Sequence, residues 1–170
     1  LARRYVVGDG VRQDAVEAAH WCRKAARQGH ADAQNDFGVM CEHGHGVPQD
    51  DGEAAEWYRK AADQGHAPAQ NNLGYLHERG RGVPQDHTEA ARWDRLAADH
   101  GHPQAQYNLA LSYAKGEGVS QDYVSAHMWF NLAAAQFPAS EVRNHELAVK
   151  NRTLMANKMT REQITEAQNL

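Results

Sequence analysis

The chain has 170 residues, with 18 basic and 22 acidic side chains and a net charge of −4. This balance gives no general attraction to nucleic acid, and the apolar runs are too short to span a membrane. Two cysteines are too few for a disulfide scaffold. The totals therefore argue against a nucleic-acid binder, a membrane-inserted protein and a disulfide-stapled domain.

A period of 36 residues runs through the chain, because tryptophans stand at positions 21, 57, 93 and 129. Gly-Val and Gln-Asp pairs recur at the same interval. A strict period of this length indicates a stacked-repeat protein, in which each unit buries its apolar face only against its neighbours. We predict one continuous domain with a partial first repeat at 1–29, full repeats at 30–65, 66–101 and 102–137, and capping helices at 138–170.

The first copy is incomplete, since residues 1–5 align with residues 109–113 and so lack the opening turns of a helix. The chain also begins without an initiator methionine. We therefore expect a fragment or a processed form. The compartment, cytoplasmic or exported, stays open, as does what precedes Leu1.

Each full period predicts two helices. In the second full copy, apolar spacing indicates a helix over 67–79, and the Gly80 to Pro84 stretch ends it. Asp86 is a good N-cap with Glu89 as its capping-box partner, so a second helix is predicted from about His87 to His100. Each tryptophan supplies a large apolar body over small residues, and we expect Trp57 and Trp93 to be largely buried.

The pattern changes after Gln136. Phe137-Pro138 is followed by a helical segment predicted over about 139–157. Thr160 and Gln163 form another capping box, which predicts a last short helix to about Asn169. These segments are predicted to cap the C-terminal end of the stack.

The repeated residues resemble the Sel1-like repeat family, a branch of the tetratricopeptide-type solenoids. The match in the second full copy is carried by Ala69, Gln70, Asn71, Asn72, Leu73, Gly74, Gly80, Arg81, Gly82, Val83, Asp86, Ala90, Trp93, Ala97, Ala98 and Gly101. The ending from Met128 to Ala135, followed by Met159 to Ile164, resembles bacterial members. The chain departs from the family pattern at Ala110, in place of a helix glycine, and at Phe137-Pro138.

The resemblance implies an all-α, right-handed α/α superhelical solenoid with a C-terminal helical cap. It also implies a non-enzymatic scaffold for protein interactions, without naming a partner. In related solenoids the first helix of each repeat lines the concave surface. The predicted binding surface is therefore Asn35, Val39, His43, Asn71, Tyr75, Arg79, Tyr107, Leu111 and Lys115. We expect a protein or peptide partner there, and a purely structural spacer is the alternative; the oligomeric state stays open.

The sequence predicts neither a catalytic site nor a metal site. Ser112 and Lys115 fit the Ser-x-x-Lys pattern of penicillin-recognising hydrolases, which is a second alternative, but the partner motifs of those enzymes are absent from the sequence. Cys41, His43 and His45 alternate without completing a recognised zinc set, so no metal or cofactor is expected. Cys22 and Cys41 are predicted to be semi-buried thiols on consecutive helices, and whether they have a redox role stays open.

Overall fold

The computed structural model describes residues 14–168, and every regular element in that range is a helix. The predicted partial first helix at residues 1–5 lies outside this range. Within it there are nine helices: α1 (Ala15–Ala26), α2 (Ala31–His43), α3 (Asp51–Ala62), α4 (Ala67–Arg79), α5 (His87–Asp99), α6 (Pro103–Lys115), α7 (Tyr123–Gln136), α8 (Val142–Ala156) and α9 (Arg161–Gln168). Consecutive helices pack as pairs, which confirms the predicted all-helical repeat fold.

Capping residues set the helix boundaries. The predicted N-cap Asp86 accepts hydrogen bonds from the backbone N–H groups of Thr88 and Glu89 at 2.9 and 3.0 Å. The carboxylate of Glu89 pairs with Arg92 at 3.2 Å. The hydrogen bonds accepted by the Asp86 side chain therefore cap this helix. Gly80 ends α4 in the left-handed conformation with φ 64°, a geometry that glycine adopts without steric cost.

Residues 14–85 form the described part of a first compact unit, in which α1 packs on α2, α2 on α3 and α3 on α4. The ring of Trp57 meets Phe37 edge to face at 5.4 Å. Tyr58 is fully buried beside Gly38, where a Cβ would lie 2.7 Å from the Tyr58 ring. The helix glycine of this repeat is therefore required by a close side-chain approach.

Residues 86–168 form the described part of a second unit. Here α5 packs on α6, α6 on α7 and α7 on α8, while α9 lies against α7. Phe137, which departs from the family pattern, is buried in a cluster with Ala133, Ala134 and Ala148. The predicted box before α9 is complete, since Thr160 and Gln163 exchange hydrogen bonds at 2.9 and 3.3 Å. The helices expected at 139–157 and 160–169 are thus present with slightly shorter bounds.

One buried glutamine in each first helix ties that helix to the repeat before it. Its amide donates to a carbonyl at the end of the preceding second helix. The pairs are Gln34 with Ala26 at 3.2 Å, Gln70 with Ala62 at 3.1 Å, and Gln106 with Ala98 at 3.3 Å. Each of these helix-end carbonyls also accepts the backbone N–H of a turn glycine, Gly29, Gly65 or Gly101. The glutamine amide therefore adds a second hydrogen bond that joins one repeat to the next.

The loop inside each repeat also touches the preceding repeat, through a glycine at positive φ. The contacts join Gly46 to Ala15, Gly82 to Asp51 and Gly118 to His87, each at the start of the previous second helix. A Cβ built on any of these glycines would overlap the backbone there. Both the conformation and the space therefore require glycine.

Gly82→Ala tests this contact, with Gly65→Ala as a matched control. Both glycines have positive φ, 67° and 82°, so both variants carry a backbone cost of about 1–2 kcal/mol. Nothing lies within 4 Å of a Cβ at Gly65. Gly82→Ala should lower the free energy of unfolding by a further 1–3 kcal/mol or so, the usual cost of overpacking. Urea denaturation measures both variants, and equal losses would contradict the contact.

The predicted burial of the central tryptophans is confirmed, with 9% of Trp57 and 3% of Trp93 exposed. Trp93→Ala should therefore lower the free energy of unfolding by about 3–5 kcal/mol, because it removes a large buried side chain. Val16→Ala is the control, since Val16 is 66% exposed and should change stability by less than about 0.5 kcal/mol. A Trp93→Ala loss below about 1 kcal/mol in urea titrations would show that the indole packs poorly.

Cys22 and Cys41 are free and buried, on the consecutive helices α1 and α2. Burial raises the pKa of the Cys22 thiol to about 11 and that of Cys41 to about 12. Both thiols are therefore protonated at about pH 8. Ellman's reagent reacts with the thiolate and not with the thiol. We expect no rapid colour from the folded protein and two thiols per chain after addition of urea. Fast labelling of either cysteine in the folded state would contradict this assignment.

Candidate functional site

The serine and lysine considered for hydrolysis lie on α6. Ser112 is half-buried, and its backbone carbonyl accepts the N–H groups of Gly116 and Glu117 at the end of the helix. The ammonium of Lys115 donates to the carboxylate of Glu117 at 3.1 Å. The Lys115 side chain is thus engaged by Glu117, and the hydrogen bonds described for Ser112 are backbone bonds that end α6.

A histidine precedes each of α2, α4 and α6, and at α4 and α6 its side chain caps the helix, whereas His30 before α2 makes no such hydrogen bond. His66 and His102 are N-caps, and their Nδ1 atoms accept the backbone N–H groups of Ala69 and Ala105 at 3.2 and 3.3 Å. Their repetition follows from the repeated helix start. Over residues 14–168 the structure contains no group of three or more His, Cys, Asp or Glu side chains that could hold a metal ion.

In the first unit, the predicted binding residues lie on two helices that touch each other. Asn72 of α4 donates to Asn35 of α2 at 3.1 Å, which places the two first helices side by side. We name their predicted residues the α2–α4 face: Asn35, Val39, His43, Asn71, Tyr75 and Arg79. Tyr75 is 38% exposed, so the side chain belongs to the surface and not to the core.

Two arginines flank the ring of Tyr75. The guanidinium carbons of Arg79 and Arg81 lie 5.7 and 5.9 Å from the ring centroid. Arg81 is itself held by both oxygens of Asp51 at 3.0 and 2.7 Å and by Glu42 at 3.0 Å. The hydrogen bonds that Arg81 donates to Asp51 raise the pKa of Arg81, so this guanidinium is permanently charged.

Arg81 was missed as a site residue by the sequence argument. It lies in the Gly-Arg-Gly turn, where the neighbouring copies have His45 and Glu117, and it therefore breaks the repeat pattern. A non-repeated cation next to a predicted surface tyrosine is the signal that could have identified it.

The acidic neighbours of the face are unequal in their access to solvent. Glu42 is 11% exposed and accepts both the Tyr58 hydroxyl at 2.7 Å and Arg81 at 3.0 Å. Glu78 lies 4.0 Å from Arg79, whose side chain is 60% exposed. Glu42 is therefore engaged by Tyr58 of its own repeat and by Arg81 of the next, and Arg79 presents the more accessible charge.

His43 is the last residue of α2, the place that Arg79 occupies in α4. Its Nδ1 lies 3.0 Å from the carbonyl of Val39, so the proton of the neutral ring is on Nδ1. The ring stacks on His45 at 5.5 Å between centroids, and both side chains are exposed. The face thus combines exposed rings with one strongly exposed guanidinium.

The other three predicted residues lie on α6 in the second unit. Lys115 is exposed and Leu111 is half-buried. The hydroxyl of Tyr107 accepts a hydrogen bond from Asn151 of α8 at 2.9 Å, and its ring meets Phe130 at 5.4 Å. Tyr107 therefore also joins α6 to the C-terminal helix α8, a role that the repeat pattern did not predict.

In the described part of the chain, no helix combines the length and apolarity needed to cross a bilayer.

Known structures resemble this fold closely. A protective antigen of uropathogenic Escherichia coli that displays an SLR fold is 40% identical, with a TM-score of 0.79, over 81% of this chain and 30% of its own. A Sel1 repeat protein from Oxalobacter formigenes is 32% identical, with a TM-score of 0.75, over 89% of this chain and 67% of its own. The chain thus spans less than a third of the antigen's length. No curated protein matches it.

The family model of the Sel1 repeat matches four consecutive segments, residues 1–30, 31–66, 67–102 and 103–136. Proteins built from this repeat are generally scaffolds for protein interactions, and the fold is typically non-enzymatic. The match accounts for the 36-residue period, the paired helices and the loop glycines described above. The chain therefore belongs to the Sel1 repeat family.

Proposed function

We propose that this protein is a non-enzymatic interaction module that binds a protein or peptide segment on the α2–α4 face. The row on α6, with Tyr107, Leu111 and Lys115, is the corresponding surface of the second unit. The observation that carries the proposal is Tyr75, an aromatic side chain 38% exposed between two guanidinium groups.

Tyr75 has the properties of a binding anchor. Tyrosine is enriched among interface hot spots, because its ring buries a large apolar area and its hydroxyl keeps a polar contact. Arg81 beside it is fixed by Asp51 and Glu42, so ordering this side chain costs little further entropy on binding. Val39 on the neighbouring helix is half-buried and extends the apolar surface.

The charges favour a segment that carries a carboxylate. Arg79 is 60% exposed, and its ion-pair contact with Glu78 is long, at 4.0 Å. A partner carboxylate placed beside an apolar side chain would meet this guanidinium while the apolar group covers the Tyr75 ring. Charge should mainly increase the rate of association, and the apolar contact should carry most of the affinity.

Tyr75→Ala tests the anchor. A native partner captured by the wild-type protein should bind the variant more weakly by about 2 kcal/mol or more in titration calorimetry. The melting temperature should stay nearly unchanged, because the side chain is exposed. Tyr75→Phe is the matched control, since it keeps the ring. Wild-type affinity of Tyr75→Ala would contradict the proposal, and a much earlier melt would place the ring in the core.

Arg79→Ala tests the charge. In stopped-flow measurements we expect slower association and a smaller dependence on salt, with a modest change in dissociation. Arg27→Ala is the control, because Arg27 is an exposed arginine of the same unit at the end of α1, outside the face. Equal effects of the two substitutions would mean that only the overall charge matters.

A further inference from the structure

Helix α8 carries exposed apolar side chains that the packing of the second unit leaves uncovered. Leu147 is 37% exposed and Leu154 is 49% exposed. They are seven residues apart, which places them about 20° apart around a helix and about 10.5 Å apart along its axis. The two leucines therefore form one stripe, which is distinct from the face that buries Ala148 and Met155.

This stripe borders a small cavity at the contact between α6 and α8. The cavity has a volume of about 30 Å³ and is lined by Gln104, Tyr107, Phe137, Asn144 and Leu147. A space of this size exceeds the roughly 10–15 Å³ that one water needs, so a methyl group can enter it. Its lining combines aromatic and aliphatic carbon with two side-chain amides, which suits the tip of an apolar side chain.

Two cations lie along one side of the stripe. Arg143 and Lys150 are exposed and lie within about 40° and 60° of Leu147 around the helix. Neither forms an ion pair with another residue of the described chain. Over the whole of α8, Arg143, Lys150 and Arg152 stand against a single carboxylate, Glu146. The apolar stripe is thus bordered by positive charge.

We propose that the stripe formed by Arg143, Leu147, Lys150 and Leu154 is a second docking surface, which binds an acidic amphipathic helix with two apolar side chains seven residues apart. One of these side chains enters the cavity beside Tyr107, and flanking carboxylates meet Arg143 and Lys150. A second copy of the chain is a poor fit, because a stable dimer interface buries about 800 Å² and 20–30 residues on each side. A stripe of four side chains fits a short segment instead.

A designed peptide is the probe. It has about 15 residues, with two leucines seven positions apart, glutamates beside each leucine, and alanine and glutamine elsewhere. The comparison peptide has the same composition, with the leucines five positions apart and so on different faces of the helix, about 140° apart. Fluorescence anisotropy against the full chain should show micromolar binding of the first peptide only. Raising the salt from about 50 to 200 mM should weaken that binding several-fold.

Matched variants locate the site. The double variant Leu147→Ala, Leu154→Ala should bind the probe at least tenfold more weakly. Val142→Ala should bind normally, because Val142 is 58% exposed but lies about 140° from Leu147 on the same helix. Lys150→Glu should also weaken binding, and it covers the case in which the double variant fails to fold. Tyr75→Ala should leave probe binding unchanged, which separates this surface from the α2–α4 face.

Several results would overturn the proposal. These are equal binding of the two peptides, an equal loss from Val142→Ala, or no binding at millimolar protein concentration. A further contradicting result could come from sedimentation velocity. If the wild type self-associates and the double leucine variant does not, the stripe binds a second copy of the chain and not a peptide.

Discussion

The stacking of these repeats depends on a glycine that lets a loop touch the backbone of the repeat before it. Gly82 does so against Asp51 in the first unit, and Gly118 does so against His87 in the second. No larger residue fits, since a Cβ would overlap that backbone and the φ values are positive. The buried glutamines, such as Gln70, add a directional hydrogen bond to each junction. Within each unit the spacing of helices is therefore fixed by backbone contacts, and side chains on the exposed faces are free to vary.

The same loop builds the candidate site. Arg81 directly precedes Gly82, so the contact that seats the loop on Asp51 also brings the guanidinium to that carboxylate and to Glu42. Fixed in this way, Arg81 flanks Tyr75 at 5.9 Å. The corresponding loops carry His45 and Glu117. The same loop thus recurs in successive repeats, while the side chain between its two glycines changes in charge. Each repeat therefore presents a different surface.

Much of this fold follows from local sequence signals. The bounds of α4, the N-cap Asp86, the buried Trp93 and the box at Thr160 all depend on residues a few positions apart, so a repeated pattern is enough to predict them. The contacts of the candidate site are harder to predict from sequence, because they join distant parts of the chain. Arg81 meets Glu42 across 39 residues, and Asn151 meets Tyr107 across 44. The second of these falls after the repeats end, where periodicity carries no information about which residues meet.

Site-specific photo-crosslinking shows directly whether the α2–α4 face binds a protein segment. A benzophenone amino acid placed at position 75 of the chain samples the α2–α4 face, and the same group at position 56, on the exposed side of α3, samples another surface of the same unit. Irradiation in native lysate, followed by mass spectrometry of the adducts, identifies the bound segment. We predict a discrete adduct at position 75 whose peptide contains an apolar residue beside a carboxylate, and none at position 56. Adducts of equal yield at both positions, or only at position 56, would contradict it.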